Sequence, residues 1–260
     1  MKRLFAALSC IVLVGCAQLV PAPDRAVEPD RAAAESAWAR LLERRVDQNG
    51  RVDFAGLERD RADLDRFVSW VYSVGPNNRP DLFASRADVL AYHLNAYNAL
   101  SMYNVIAAGT PRSLSEYGLF RFFFLRRVAV GGVSMSLYRY ENEVIRPLGE
   151  EKVHFALNCM AVSCPRLPRI PFRAATLEAA LAAETTRFVD DGRNVVVDAE
   201  RHKVRLSAMF DFYPEDFLAK APNLIGYVNS HRSLPVPLKS GIEFLDYDWT
   251  VAAQMLPISR

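Results

Sequence analysis

The spacing of apolar residues predicts four amphipathic helices along the chain. In each segment apolar side chains recur every three to four residues, so they share one face of a helix. The four segments are residues 32–44, 57–74, 85–108 and 176–189. The third has the clearest start, because Ser85 and Asp88 are spaced as in a capping box, with Asp in place of Glu or Gln. Asn98 falls in the middle of its apolar face, where an amide usually hydrogen-bonds a neighbouring backbone; the alternative is a role in polarising a site.

Short runs of β-branched, aromatic or alternating residues predict the strands. These runs are residues 121–125, 127–130, 133–137, 153–157, 195–197, 203–206 and 242–249. Gly131-Gly132 is a dipeptide typical of a hairpin turn, residues 137–146 predict a short helix, and three prolines after residue 164 predict a loop. Helices and strands are interspersed without a repeated βαβ unit, which predicts a single α+β domain over residues 36–260.

The first residues are predicted not to be part of this domain. A basic start is followed by the apolar run 4–14 and by Leu13-Val14-Gly15-Cys16, an order that resembles a lipoprotein signal peptide with its cleavage site. We therefore predict a signal peptide at 1–15, a lipidated Cys16 and a flexible tether at 16–35. Ala17, rather than Asp, after the cysteine favours sorting to the bacterial outer membrane, with the domain facing the periplasm.

Composition and charge narrow the partners. The 260 residues are 51% hydrophobic and 24% charged, an ordinary globular balance. The 32 basic and 30 acidic residues nearly cancel, and no basic run carries interleaved aromatics, so nucleic acid is not an expected partner. The expected membrane contact is the N-terminal lipid alone, and the expected substrate is a peptide or small molecule. No phosphate-loop, HExxH or EF-hand pattern occurs, so no cofactor is predicted.

Two cysteines remain once the first sixteen residues are set aside. They are Cys159 and Cys164, in the stretch that begins at Val153 and contains His154. In an oxidising compartment they are a candidate disulfide. A zinc site from His154, Cys159 and Cys164 is a weaker alternative, because no fourth ligand is evident.

Several stretches together resemble the bacterial members of the domain of unknown function 547 family. They are Asn49-Gly50-Arg51-Val52-Asp53-Phe54-Ala55-Gly56-Leu57, Asn95-Ala96-Tyr97-Asn98-Ala99-Leu100, Ser136-Leu137 to Glu141 with Ile145-Arg146, His154-Phe155-Ala156-Leu157-Asn158-Cys159 with Ser163-Cys164-Pro165, Leu206-Ser207 through Phe210 to Glu215-Asp216-Phe217, and Tyr247-Asp248-Trp249. The resemblance spans about residues 45–252. It implies an α+β domain with distant kinship to papain-like and transglutaminase-like cysteine enzymes. The chain departs from the family pattern at His93, where a large apolar residue is common.

The residue types in this block suffice for thiol catalysis. A thiolate needs a positive or hydrogen-bonding neighbour near neutral pH, and an imidazole held by a carboxylate can supply it. On an ideal strand His154 and Cys159 face opposite sides. We therefore predict Cys164 as nucleophile, His154 as base, Glu141 as orienting carboxylate and Asn98 as donor to a developing oxyanion. The predicted activity is a cysteine hydrolase or acyl transferase acting on peptide or γ-glutamyl amide bonds.

The alternative is a non-catalytic binding module of the cell envelope. In that hypothesis Cys159 and Cys164 form a structural or redox-active disulfide, which removes both nucleophiles from amide chemistry. The two hypotheses differ in one distance: Cys164 lies close either to the imidazole of His154 or to the sulfur of Cys159.

Overall fold

The computed structural model describes residues 17–23 and 30–255. The predicted signal peptide at 1–15 and the predicted lipidation site Cys16 lie outside these ranges. Within them, none of the helices is long and apolar enough to cross a membrane.

Ten α-helices are formed within the described ranges. They are α1 (Arg31–Arg45), α2 (Phe54–Arg59), α3 (Ala62–Ser73), α4 (Arg86–Ala107), α5 (Leu114–Tyr117), α6 (Leu137–Arg139), α7 (Leu177–Asp190), α8 (Met209–Phe212), α9 (Pro214–Leu218) and α10 (Leu224–His231). The predicted helices at 32–44, 85–108 and 176–189 are confirmed as α1, α4 and α7. The predicted helix at 57–74 is two helices, because Asp53 caps an earlier start by accepting from the Gly56 N–H at 2.7 Å and the chain breaks at Asp60.

Six strands form two small mixed sheets. They are β1 (Gln18–Leu19), β2 (Arg126–Val130), β3 (Val133–Ser136), β4 (Val195–Asp198), β5 (Lys203–Ser207) and β6 (Gly241–Leu245), in the orders β1-β2-β3 and β4-β5-β6. Both hairpins, β2–β3 and β4–β5, are antiparallel, whereas β1 and β6 add in parallel. The β2–β3 turn needs positive φ at both central positions, which Gly131 (55°) and Gly132 (79°) supply. Helices with two small mixed sheets confirm the predicted α+β class.

Two predicted strands are wrong. Residues Arg121–Leu125 form a π-helical turn, closed by the Arg126 N–H donating to the Arg121 carbonyl. Residues Glu151–Phe155 form a 3₁₀ helix, and the Leu157 N–H still donates to the Val153 carbonyl at 2.9 Å. Short apolar runs fit either structure. The alternation argument that placed His154 and Cys159 on opposite faces of a strand therefore does not apply.

The core consists of two hydrophobic clusters that meet at one segment. The larger surrounds α4, whose residues from Leu90 to Val105 are all buried. This helix is therefore buried on every side, and not only on one apolar face. The smaller lies between β4–β5 and helices α7, α9 and α10. Val153, Ala156 and Cys159 belong to the larger cluster and Phe155 to the smaller, so the 3₁₀ helix joins the two.

Part of the predicted tether at 16–35 packs against the domain. Residues 18–19 pair with β2, and the Tyr72 hydroxyl donates to the Val20 carbonyl at 3.0 Å. The Tyr103 hydroxyl donates to the Pro21 carbonyl at 3.1 Å. Helix α1 begins at Arg31, capped by Asp30. In the described ranges, the ordered domain thus includes residues on the N-terminal side of position 36.

Candidate functional site

A cavity of about 590 Å³ opens where the two clusters meet. Its size is that of an ordinary small-molecule pocket. Aromatic and aliphatic side chains form most of the lining, with a few polar groups among them. The lining residues are Tyr97, Leu119, Phe123, Phe124, Tyr138, Glu141, Asn142, Arg146, His154, Leu157, Cys159, Cys164, Pro165, Met209, Phe212, Tyr213, Glu215, Tyr247 and Trp249. Four of the five candidate site residues, Cys159, Cys164, His154 and Glu141, line this one cavity, whereas Asn98 does not.

The loop that carries both cysteines is held by the C-terminal segment 247–252. The Val162 N–H donates to the Thr250 carbonyl at 2.8 Å, and the Ala252 N–H donates to the Met160 carbonyl at 2.8 Å. Met160 has φ 72°, which is uncommon for a residue with a side chain, and its N–H donates to the Asn158 side-chain oxygen at 2.6 Å. This sharp turn brings the ends of the loop back together.

The two thiols meet across this loop. Both are free, and their Sγ atoms lie 2.7 Å apart. The Cys159 backbone N–H also points at the Cys164 sulfur, at 3.1 Å. The third neighbour of Cys164 is the hydroxyl of Tyr247, at 3.1 Å from the sulfur. Cys164 is thus surrounded by three hydrogen-bond donors, and its nearest titratable neighbour is Cys159.

These contacts shift the pKa values of the two thiols in opposite directions. Burial opposes ionisation of Cys164, but hydrogen bonds from the Cys159 thiol, the Tyr247 hydroxyl and backbone N–H groups outweigh it and lower the Cys164 pKa. The pKa of Cys159 is raised well above its usual value, first by its hydrogen bond to Cys164 and then by burial. Burial keeps the pKa of Tyr247 far above neutrality, so its hydroxyl remains a donor. Cys164 is therefore the more readily ionised thiol of the pair.

His154 is engaged elsewhere. Its Nε2 lies 2.7 Å from Oδ2 of Asp216, and its ring stacks on Tyr213 with centroids 4.1 Å apart. Nδ1 is buried and has no hydrogen-bond partner among the described residues. The predicted hydrogen bond between His154 and Cys164 is absent from the described contacts, and the carboxylate that orients the imidazole is Asp216 rather than Glu141.

Asp216 is itself fixed by Arg146. The Arg146 Nε donates to Oδ2 of Asp216 at 2.7 Å, and Nη2 donates to Oδ1 at 3.0 Å. Hydrogen bonding from His154, followed by that from Arg146, holds the pKa of Asp216 well below its usual value. Arg146 also contacts Glu215 at 2.5 Å. The carboxylate is therefore ionised and held on two sides.

Glu141 belongs to a tyrosine network. It accepts from the Tyr97 hydroxyl at 2.9 Å, and its charge acts on the nearby Tyr213, whose pKa is raised first by burial and then by Glu141. Burial, followed by the neighbouring Glu141 charge, keeps the pKa of Tyr97 well above its usual value, so Tyr97 stays a donor. Tyr213 links this network to His154 through the ring stack. Glu141 is thus in the pocket, but it does not touch His154.

Asn98 has the structural role predicted as the alternative. The side chain is 1% exposed and does not line the cavity. Its Nδ2 donates to the Ala156 carbonyl at 2.9 Å, and its Oδ1 accepts from the Asn158 N–H at 2.7 Å. Both bonds hold the start of the cysteine loop. The predicted role as oxyanion donor is therefore not supported by its position.

No metal-binding cluster of three or more His, Cys, Asp or Glu side chains converges within the described ranges. The zinc alternative required His154 beside both cysteines. His154 instead bonds Asp216, whereas the two sulfurs bond each other and Tyr247.

Two groups in the site were not assigned a role from the sequence. Asp216 and Tyr247 lie 52 and more positions beyond Cys164 and come from the stretches Glu215-Asp216-Phe217 and Tyr247-Asp248-Trp249. Both stretches were among those that carried the family resemblance, which was the available signal. Spacing alone gives no contact between residues so far apart.

Fold and site together define an α+β domain with a paired-thiol pocket. Residues 83–189 match the family model described as "Protein of unknown function, DUF547". This confirms the predicted resemblance over a stretch that contains Asn98, Glu141, His154 and both cysteines. Asp216 and Tyr247 lie beyond the match. No curated protein matches the chain, and no solved structure matches it.

Proposed function

We propose that the domain is a thiol–disulfide exchange protein, with Cys164 as the attacking thiolate and Cys159 as the resolving thiol. The single observation that carries this is the 2.7 Å contact between the two sulfurs inside an open pocket. A disulfide bond is about 2.05 Å long, so the two sulfurs need only a small approach when a substrate disulfide accepts their two electrons. The pKa directions support the same assignment, since the lower one belongs to the half-buried Cys164.

The reaction balances with one substrate disulfide. The Cys164 thiolate attacks R–S–S–R′, forming a Cys164–S–S–R bond, and the electron pair of the broken bond leaves on R′S⁻. R′S⁻ takes the Cys159 proton, and the Cys159 sulfur then attacks Cys164 and releases RS⁻. Two protein sulfurs are oxidised to one disulfide, and the substrate disulfide is reduced to two thiol groups. Two partner thiol groups regenerate the dithiol by the reverse reaction and leave as one disulfide.

Its proposed place is the cell envelope. The basic start, the apolar run 4–14 and the sequence around Cys16 support export and lipid anchoring. An exported domain works in a compartment where disulfides form and persist. A redox-active pair in the envelope is consistent with these features, and the membrane remains a partner through the lipid alone.

A cysteine hydrolase or acyl transferase is the second candidate. It is favoured by the His154–Asp216 pair, which is a histidine held by an ionised carboxylate in the same pocket as the thiols. In this alternative Nδ1 of His154 serves as the base toward Cys164. The contact between the two sulfurs weighs against it, because oxidation to a disulfide removes the nucleophile.

The pH dependence of thiol alkylation separates the two functions. We expect Cys164 of the reduced protein to react first with iodoacetamide, with a midpoint below the value of about 8.5 for a free thiol. Tyr247→Phe removes one donor to the sulfur and should move the midpoint upward by about half a pH unit or more. His154→Gln, the matched control, should leave the midpoint in place.

A second readout tests the disulfide directly. In a thiol–disulfide buffer series trapped with N-ethylmaleimide, intact mass should show one two-electron transition, and Cys159→Ser should instead accumulate a mixed disulfide at Cys164. An alkylation midpoint of Cys164 that shifts in His154→Gln but not in Tyr247→Phe would indicate a cysteine–histidine pair. That result would favour the hydrolase. Failure of the two cysteines to bond in any buffer contradicts thiol–disulfide exchange.

A further inference from the structure

The surface that leads away from the reactive sulfur is aromatic. The Tyr247 hydroxyl touches Cys164, and the Tyr247 ring lies 4.3 Å from the ring of Trp249. Phe212 extends this surface, with centroids 5.4 Å from Tyr247 and 6.5 Å from Trp249. A disulfide bound in this part of the pocket therefore lies beside aromatic rings.

A second aromatic pair lines the same cavity. Phe124 and Tyr138 are stacked with centroids 4.3 Å apart, and they are 41% and 46% exposed. Phe212 is likewise 45% exposed. Large apolar side chains in a concave site are normally buried by something. These three half-exposed rings belong to the lining of the pocket that contains the thiols.

The one arginine of the lining is already paired within the protein. Arg146 contacts both Glu215 and Asp216, whereas Glu141 accepts from the neutral Tyr97 hydroxyl and has no basic partner among the described residues. Within the described ranges, no arginine or lysine of the lining is therefore left to pair with an anionic ligand. An anionic substrate group placed there would lose its hydration without gaining an ion partner, which is costly. A neutral apolar group pays no such cost.

We propose that the pocket selects disulfides that carry an aromatic or branched apolar group, and no anionic group, beside the sulfur. This rests on the proposed thiol–disulfide exchange and adds its substrate class. At about 590 Å³ the cavity suits one or two such groups. A cysteinyl peptide with an apolar neighbour and a small aromatic disulfide share this chemistry.

The test uses disulfides whose sulfur chemistry is identical. Homodimers of N-acetylated, C-amidated dipeptides place phenylalanine, leucine, serine, aspartate or lysine before the cysteine. Rates of exchange with the full chain, divided by rates with N-acetylcysteine, isolate recognition from intrinsic reactivity. We expect the phenylalanine and leucine dimers to exceed the serine, aspartate and lysine dimers by about 10-fold or more in kcat/KM. A parallel series with 4,4′-dithiodipyridine shows whether a non-peptide source is also accepted.

Two variants locate the selectivity. Phe212→Ala should raise KM for the phenylalanine dimer about 10-fold while leaving the alkylation midpoint of Cys164 unchanged. Trp249→Ala tests the deeper part of the same surface. Phe244→Ala is the matched control, because Phe244 is also an aromatic at 41% exposure but lies on β6 outside the pocket.

The outcomes distinguish the inference from the function on which it rests. Equal normalised rates for all five dimers, or a Phe212→Ala effect no larger than that of Phe244→Ala, would overturn the substrate class while leaving thiol–disulfide exchange in place. No exchange with any disulfide, with the two cysteines reduced and accessible to iodoacetamide, would overturn both.

Discussion

Cys159 and Cys164 differ in pKa because different hydrogen-bonding groups surround their sulfurs. Cys164 accepts hydrogen bonds from three donors, whereas Cys159 donates to its partner and is 8% exposed. The first arrangement stabilises the charged form of a thiol and the second stabilises the neutral form. The distinct roles proposed for the two cysteines follow from this environment and not from their order in the sequence.

The first prediction concerns Asn98, which positions the cysteine loop. Asn98→Ala leaves the Ala156 carbonyl and the Asn158 N–H without their partner at a buried site. An unsatisfied buried group costs about 1–3 kcal/mol. We expect a loss of about 2–4 kcal/mol in the free energy of unfolding, measured by urea denaturation.

The exposed turn residue Asn49 supplies the control for Asn98. Asn49→Ala should change the free energy of unfolding by less than about 0.5 kcal/mol. Asn98→Asp keeps the acceptor for the Asn158 N–H and removes the donor to the Ala156 carbonyl. Its free energy of unfolding should lie between those of wild type and Asn98→Ala if the new carboxyl is protonated, and below both if it is buried as a charge. A stable Asn98→Ala protein whose only defect is slow chemistry would contradict the structural role.

At the scale of elements, α4 carries a buried histidine with consequences for pH. His93 is 6% exposed, its Nδ1 lies 2.8 Å from the Tyr140 hydroxyl, and burial lowers its pKa to about 4 from 6.5. The unfolded chain therefore takes up a proton as the pH falls below about 6.5, while the folded chain stays neutral until about 4. The stability that His93 contributes is present above pH 6.5 and is lost as the pH falls toward 4.

The second prediction follows from the lowered pKa of His93. Between pH 7 and pH 5, His93 should account for a loss of about 2 kcal/mol in the free energy of unfolding. The double variant His93→Phe with Tyr140→Phe removes the titrating group together with its hydrogen-bond partner. Urea denaturation at both pH values should show a smaller loss for the variant. Equal losses in wild type and variant would mean that His93 does not titrate across this interval.

The long periodic helices and the hairpin strands β2 to β5 were predictable from the sequence, whereas the conformations of the short runs 121–125 and 153–157 were not. Helices α1, α4 and α7 have helical apolar spacing, and α1 and α4 also begin at side-chain caps, so local information suffices. The run at 153–157 has the β-branched and aromatic residues of a strand, yet its conformation is fixed by Asn98, 55 and more positions away. The same holds for the site. The sequence predicted the cysteines and His154 in one block, but not their partners Tyr247 and Asp216.

At the scale of the whole molecule, the 3₁₀ helix Glu151–Phe155 couples the two hydrophobic clusters. Phe155 is fully buried in the smaller cluster, with its ring 5.2 Å from Phe188 and 5.8 Å from Phe217. Its neighbours Val153 and Ala156 pack in the larger cluster. Displacing this helix must disturb both clusters, because its five residues, which make fewer than two turns, cannot move independently of one another. We therefore expect the domain to unfold as one unit.

The third prediction tests that coupling. Phe155→Ala removes a buried aromatic ring and should lower the free energy of unfolding by about 3–5 kcal/mol. Tryptophan fluorescence reports the larger cluster through Trp38 and Trp70, and hydrogen exchange of the β4 and β5 amides reports the smaller. The free energies of unfolding that the two probes report in urea should fall together. The exposed control Phe244→Ala should change neither value by more than about 0.5 kcal/mol. A shift confined to the β4 and β5 amides, with the fluorescence transition unmoved, would mean that the clusters unfold separately and that the thiol pocket lies on a boundary between independent units.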